Sequence, residues 1–171
     1  MGNRRLTLLR HGHAQAQDAT TEDFERTLTR RGNAEAEEMG KRLVARGLVP
    51  DLIVVSPAER AWATAQVVAE ICELDPKFIQ CARELYLASP ETLWRIAQRT
   101  PLSCDHVLLC GHNPSLSQVA SRLGPRPQKR ELPTAGIATA LWTSTRWESL
   151  QPESAGACEL DDPESLADLW V

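Results

Sequence analysis

The sequence predicts an α/β fold, a three-layer α/β/α sandwich on a mostly parallel central sheet. Three observations carry that expectation. Apolar strand-like runs alternate with stretches of helical periodicity along the whole chain. The strongest runs, Leu52-Ile53-Val54-Val55 and Val107-Leu108-Leu109-Cys110, are apolar on both faces, as strands covered by helices on each side must be. Finally, 171 residues suit one α/β domain with a sizeable core and crowd two.

Each element has its own signal. Leu6-Thr7-Leu8-Leu9 is a short strand that stops at Arg10-His11-Gly12. Thr29 is placed to cap a helix running to about Leu43–Arg46, with Ala36, Met39, Gly40, Leu43 and Val44 at helical spacing and Gly47 at its stop. After the Leu52–Val55 strand, Ser56-Pro57 predicts a second helix with Ser56 as N-cap and Pro57 in its first turn. Ala61, Thr64, Ala65, Val68 and Ile71 form its inward face. Phe78–Cys81 is a weaker strand and Glu91–Arg99 a short helix. The Val107–Cys110 strand is broken by Gly111-His112-Asn113-Pro114 before a helix over Ser115–Leu123. Ile137–Trp142 is a further strand, with the segment around Trp147 as its candidate partner. The expected organisation is a catalytic domain over residues 1–150 and a loosely ordered acidic tail over 151–171, in which Leu166, Leu169 and Trp170 offer a short amphipathic docking turn.

Composition narrows the function classes. No apolar run is long enough to span a membrane, and Met1–Arg5 lead straight into a strand, so the expected location is cytoplasmic. Leu6 stands where a myristoylation signal at Gly2 would need Ser or Thr. The five cysteines have neither CxxC nor metal-finger spacing, which favours reduced, buried thiols, and no C-x5-R loop offers a catalytic one. The net charge of −4 hides an asymmetry: seven acids and no base follow Arg146, leaving 19 bases against 16 acids in residues 1–147. That body tolerates an anionic ligand, but no basic run interleaved with aromatics points to nucleic acid. The five tryptophans are too scattered to form a binding platform.

Ligands of open α/β sheets gather at the carboxyl ends of the strands. There this sequence puts Arg10-His11-Gly12, Ser56 with Arg60 a turn later, Gly111-His112, and Arg83-Glu84-Leu85-Tyr86 after the weak strand. Two arginines held together need an anion, and a phosphoryl group accepts charge-assisted, bidentate bonds from both. A neutral imidazole among them is a competent nucleophile toward phosphorus. Gly12 allows a tight backbone turn that holds one ring nitrogen of His11 and frees the other.

Arg10-His11-Gly12, Ser56-Pro57-Ala58-Glu59-Arg60-Ala61 with Thr64-Ala65, and Gly111-His112 resemble, in this order, the histidine phosphatase superfamily over about residues 6–142. The resemblance implies that His11 is phosphorylated, that Arg10 and Arg60 bind the phosphoryl group, and that His112 stabilises it from the opposite side. The short chain and Arg26-Thr27-Leu28-Thr29-Arg30-Arg31-Gly32 look like the SixA-type phosphohistidine phosphatases, which lack a capping subdomain. The Arg60–Glu84 interval is likewise too short for a cap. Glu84 matches the position of a general acid in larger members, against the plainer reading of an exposed loop carboxylate. Arg26 either reaches the pocket mouth with Gly12 as part of the substrate site or pairs with a carboxylate near the helix start. The implied substrate is a phosphorylated protein, a phosphohistidine carrier or phosphorelay domain, with no cofactor and no metal.

Three rivals stay open. A phosphomonoesterase acting on a small phosphorylated metabolite would share the pocket, because specificity lies outside it. A phospholigand-binding module without turnover would share its binding groups. His11 and His13, as an HxH pair on a strand, would suit a zinc hydrolase, although no further ligands accompany them. His106 begins its strand, remote from the cluster, and is expected to be structural.

Overall fold

Strand pairing brings the carboxyl ends of three strands to one edge. The computed structural model describes residues 2–164. Six strands, β1 (Asn3–Arg10), β2 (Leu52–Val55), β3 (Ile79–Cys81), β4 (His106–Gly111), β5 (Ile137–Thr143) and β6 (Ala157–Asp161), form one sheet in the order β3-β2-β4-β1-β5-β6. β1 to β4 are mutually parallel where they pair, whereas β5 runs antiparallel to both β1 and β6. In register, Arg10 lies opposite Gly111 and Val55 opposite Cys110. His11, Ser56 and His112 therefore leave the sheet at nearly the same level.

Alternation along the strands fills both faces. Leu6, Leu8, Leu52, Val54, Val107 and Leu109 pack on one side with α3 (Pro90–Gln98) and α4 (Ser115–Arg122). On the other side, Leu9, Ile53, Val55, Leu108 and Cys110 meet α1 (Arg30–Ala45) and α2 (Glu59–Ile71). Each such leucine or isoleucine stabilises the fold by about 1.5–3 kcal/mol through burial. This is the expected three-layer arrangement. Only residues 72–78 separate α2 from β3, so no capping subdomain interrupts them. No helix among the described residues is long and apolar enough to cross a membrane.

Several local expectations change. Thr29 does cap α1, its hydroxyl accepting from the Gly32 amide at 3.1 Å. Ser56, by contrast, does not cap α2: that helix starts at Glu59, its N-cap is Ala58, and the Ser56 hydroxyl is taken by His112. Trp147 pairs with no strand; it lies buried in a 3-10 turn and donates from Nε1 to the Cys104 carbonyl at 2.9 Å. Nor is the chain loosely ordered from residue 151. Ala157–Asp161 forms β6 against β5, and Arg42 of α1 and Arg46 at its C-terminal cap bind Asp161 and Glu159. Opposite charge on the helix beside it orders a segment that lacks apolar periodicity. Leu166, Leu169 and Trp170 lie outside the described residues. Of the cysteines, Cys72, Cys104 and Cys110 are buried, Cys158 is half-buried and Cys81 is exposed; all are free.

Candidate active site

His11 is the first residue past β1, and its backbone is held from both sides. Its amide donates to the Gly111 carbonyl at 3.1 Å, and its carbonyl accepts from the Ala135 amide at 3.1 Å. Next to it, the Gly12 amide donates to Thr64 Oγ1 at 3.0 Å, and that hydroxyl donates to the Arg60 carbonyl at 2.7 Å. Thr64 thus ties the end of β1 to the first turn of α2, which carries Arg60. Gly12 is needed for close approach as much as for turning: a Cβ there would lie 2.5 Å from the Gly32 carbonyl oxygen.

The ring of His11 is fixed in one tautomer. Nδ1 lies 2.8 Å from the Gly12 carbonyl, which can only accept, so Nδ1 carries the proton. Nε2 then presents a lone pair, which receives Arg60 Nε–H at 3.2 Å. Burial, aided by the positive charge of Arg60, Arg10 and Arg26, pushes the His11 pKa down to about 4, against the opposing effect of the Gly12 hydrogen bond. The ring is neutral at pH 7.

His112 mirrors this arrangement, its ring centroid 5.2 Å from that of His11. Nε2 lies 2.8 Å from Ser56 Oγ, and Nδ1 faces Arg60 Nη2 at 3.4 Å. Burial, then the neighbouring His11 and Arg60, pushes its pKa down to about 3. The buried Arg60 guanidinium therefore sits between two imidazole lone pairs. Arg10 donates from Nη1 to the Leu132 carbonyl at 2.9 Å, while its buried Nε has no hydrogen-bond partner among the described residues. Burial lowers its pKa, offset in part by Glu131 and Glu35. That buried Nε–H is a donor an oxyanion could use, and the positive charge of Arg10 reaches His11.

The anion present is Asp23, from the loop between β1 and α1. Its Oδ2 accepts from Arg60 Nη2 and from the Tyr86 hydroxyl, each at 3.0 Å, and its Oδ1 accepts from Arg26 Nη1 at 2.9 Å. Arg60 Nη1 also donates to the Asp23 carbonyl. Burial opposes ionisation of this carboxyl, but bonds from Arg26, Arg60 and Tyr86 outweigh it and hold the pKa at about 2. Arg26 thus reaches the mouth through its pairing with Asp23.

Glu84 does not join the cluster. Its carboxylate is 61% exposed, faces Arg99 at 3.6 Å and lines a separate groove with Leu52, Val54 and Ile96. The HxH pair is also split: the His13 amide donates to Glu35, and its Nδ1 lies 2.9 Å from Thr29 Oγ1. Among the described residues, no group of three or more His, Cys, Asp or Glu is arranged to hold a metal ion. A cleft of about 280 Å³ lined by Asn113, Pro114, Ser117 and Lys129 opens nearby. Asn113 Nδ2 and Arg10 Nη1 share the Leu132 carbonyl.

The sequence profile of the histidine phosphatase superfamily (branch 1) matches residues 6–128, spanning every element that carries a site side chain. The chain belongs to this superfamily. Within it, the chain is 31% identical to a protein of Agrobacterium tumefaciens assigned as phosphohistidine phosphatase SixA, covering 81% of this chain and 92% of that one at a TM-score of 0.71. A protein of Nakamurella multipartitia with the same assignment superposes at a TM-score of 0.82, with 22% identity over 96% of this chain and 98% of that one. The mycobacterial glucosyl-3-phosphoglycerate phosphatase shares the fold at a TM-score of 0.59, with 18% identity over 94% of this chain and 98% of that one. A phosphatase function follows from this membership, and proteins assigned as SixA and a small-molecule phosphatase share the fold.

Sequence reasoning missed Asp23, Tyr86 and the roles of Ser56 and Thr64. Asp23 lies in a loop without periodicity, so nothing local marks it. Tyr86, two residues past Glu84, was within view, but the 3-10 turn Arg83–Leu85 turns Glu84 outward while Tyr86 reaches inward.

Proposed function

We propose that this phosphatase removes the phosphoryl group from protein phosphohistidine through a covalent intermediate on His11. The fixed tautomer of His11 carries the reading: with Nδ1–H bound to the Gly12 carbonyl, Nε2 is a neutral, directed nucleophile. Its lone pair forms the new N–P bond as the bond from phosphorus to the leaving nitrogen breaks. The electron pair departs with the substrate imidazole, which leaves as the neutral ring because solvent has already protonated its other nitrogen. Water then attacks phosphorus, releasing inorganic phosphate and restoring neutral His11. Arg10, with its idle Nε, and Arg60 take the equatorial oxygens, offsetting charge in the transition state. His112 faces the same volume, and an incoming dianion raises its proton affinity, making its Nδ1 a donor to the phosphoryl group.

The leaving group decides the substrate class. An alkoxide needs an enzyme acid, whereas a phosphoimidazole protonated by solvent on its other nitrogen expels neutral imidazole, whose conjugate acid lies near 6.5, without one. Glu84 lies elsewhere, and Asp23 is ionised and already bonded. An uncapped site without a poised acid suits an N–P bond presented on a protein surface. A phosphorelay domain or phosphotransfer carrier is the partner we infer.

The test is a side-by-side comparison of rates on a phosphohistidine protein and a panel of phosphate esters. The expected result is a strong preference for the protein, with acid-labile, base-stable label trapped on wild type and absent from His11→Ala. Chelators should leave the rate unchanged, and vanadate should inhibit. Failure of any phosphodonor to label His11 would leave a binding module. A second reading, a small-metabolite phosphomonoesterase, is favoured by the cleft beside Asn113 and would appear as faster turnover of an ester.

A further inference from the structure

Asp23 holds Arg60 as a ligand would. Its two anchors on the body of the protein come from different elements, Arg60 in α2 and Tyr86 after β3, while Arg26 of its own loop grips the other oxygen. The loop is tied at its base, by the Ala14–Leu28 bridge and by Arg26 Nε donating to the Gln15 carbonyl at 2.6 Å. Its tip is held mainly through Asp23: the turn Asp23–Glu25 buries no residue, and Phe24 is exposed apart from an edge contact with Tyr86.

Counting donors shows the conflict. A guanidinium has five N–H groups. In Arg60, Nε–H goes to His11 and Nη1 bonds the Asp23 carbonyl, while Nη2 bonds the Asp23 carboxylate and faces His112. A phosphoryl group on His11 Nε2 needs Nε and Nη2 of the same arginine for a bidentate grip. It therefore arrives as a further claimant on Nη2, and as a dianion facing an ionised carboxylate. Among the described residues Asp23 makes no bond to Arg10, and the buried Nε of Arg10 has no partner, so a phosphoryl group that engages both arginines has a donor that Asp23 does not use.

We propose that Asp23 is an internal competitor for the phosphoryl site, docked on Arg60 in the free protein and displaced by every oxyanion that binds. The inference rests on the reading of Arg10, His11, Arg60 and His112 as an oxyanion pocket. Displacement lowers apparent affinity by the fraction of molecules already undocked, a factor common to all ligands. Asp23 thereby sets a threshold. Ligands that fail to engage both arginines and both imidazoles do not hold the site at ordinary concentrations.

Tungstate titrated calorimetrically into the full chain tests this. Asp23→Asn should bind it roughly tenfold more tightly than wild type, because the charged competitor is gone. Tyr86→Phe, which removes one of the bonds docking Asp23, should tighten binding by about threefold and serves if Asp23→Asn does not fold. In wild type, saturating tungstate should raise amide hydrogen exchange across residues 15–28. Equal or weaker binding in both variants, or greater protection of that loop, overturns the proposal and makes Asp23 a support for Arg60. Arg60→Ala separates the two layers. If it abolishes tungstate binding while Asp23→Asn changes nothing, only the competitor fails; if it leaves binding intact, the oxyanion pocket fails with it.

Discussion

His106 and His112 stand at opposite ends of the same strand, and on burial alone they are twins. Both are buried, and burial pushes their pKa values down, to about 4 and about 3. Their partners differ. His106 has Thr7 Oγ1 2.8 Å from Nε2 and the Val49 carbonyl 3.2 Å from Nδ1, so neutral groups occupy both nitrogens. His112 has only Nε2 so occupied, while Nδ1 faces a buried guanidinium and the ring lies 5.2 Å from that of His11. A depressed pKa thus marks burial. A lone pair directed at a cation, in a place that an anion would complete, marks chemistry.

The contrast can be broken by mutation. His11→Ala should cost at least about a thousandfold in kcat, because no covalent intermediate forms. His112→Ala should cost about a hundredfold, as loss of one preorganised donor does. His106→Ala should leave kcat/KM within about twofold while lowering stability by about 1–3 kcal/mol in urea titration, because Thr7 loses a buried partner. A comparable loss of turnover in His106→Ala would erase the distinction.

pH sharpens it. Above about 6.5 these imidazoles are neutral whether folded or unfolded and contribute no pH dependence. Below that, the unfolded chain takes up protons that native His11, His106 and His112 refuse, so stability falls as pH drops toward about 4. Each contributes a slope of about 1.4 kcal/mol per pH unit in that window, and His106→Gln should remove one such share. Activity in brief assays should hold over the same window, because His11 keeps its free base down to about 4. The smallest effect belongs to Glu84→Gln, which should leave rates on phosphohistidine and on esters within about 1.5-fold of wild type, its carboxylate being exposed and paired with Arg99.

Most of the fold was legible because β1, β2, β4 and β5 are local apolar runs. β2 spans the four residues Leu52–Val55 that the pattern marks, and α1 begins after the cap that Thr29 announces. His11, Arg10, Arg60 and His112 were legible because strand ends converge in any parallel sheet, and the structure does gather them. What escaped depends on contacts distant in sequence. Asp23 acquires its role only by folding back 37 residues' separation onto Arg60. β6 escaped for a related reason: its acids looked like a solvated tail until paired with Arg42 and Arg46, more than a hundred residues earlier. Glu84 was misplaced because a 3-10 turn rotates neighbouring side chains apart.

The acidic sixth strand has a consequence for how the protein lives among copies of itself. β5 is buried along Ile137–Ala140, and without β6 its outer edge would be a row of unpaired amides and carbonyls beside apolar side chains. Such an edge templates intermolecular sheet growth. β6 covers it with a short strand whose Glu159 and Asp161 are bonded to Arg42 and Arg46, so the sheet ends on a charged edge rather than an apolar one. The segment expected to be loosely ordered thus closes the apolar edge of β5, seated two strands away from the nucleophile's own strand.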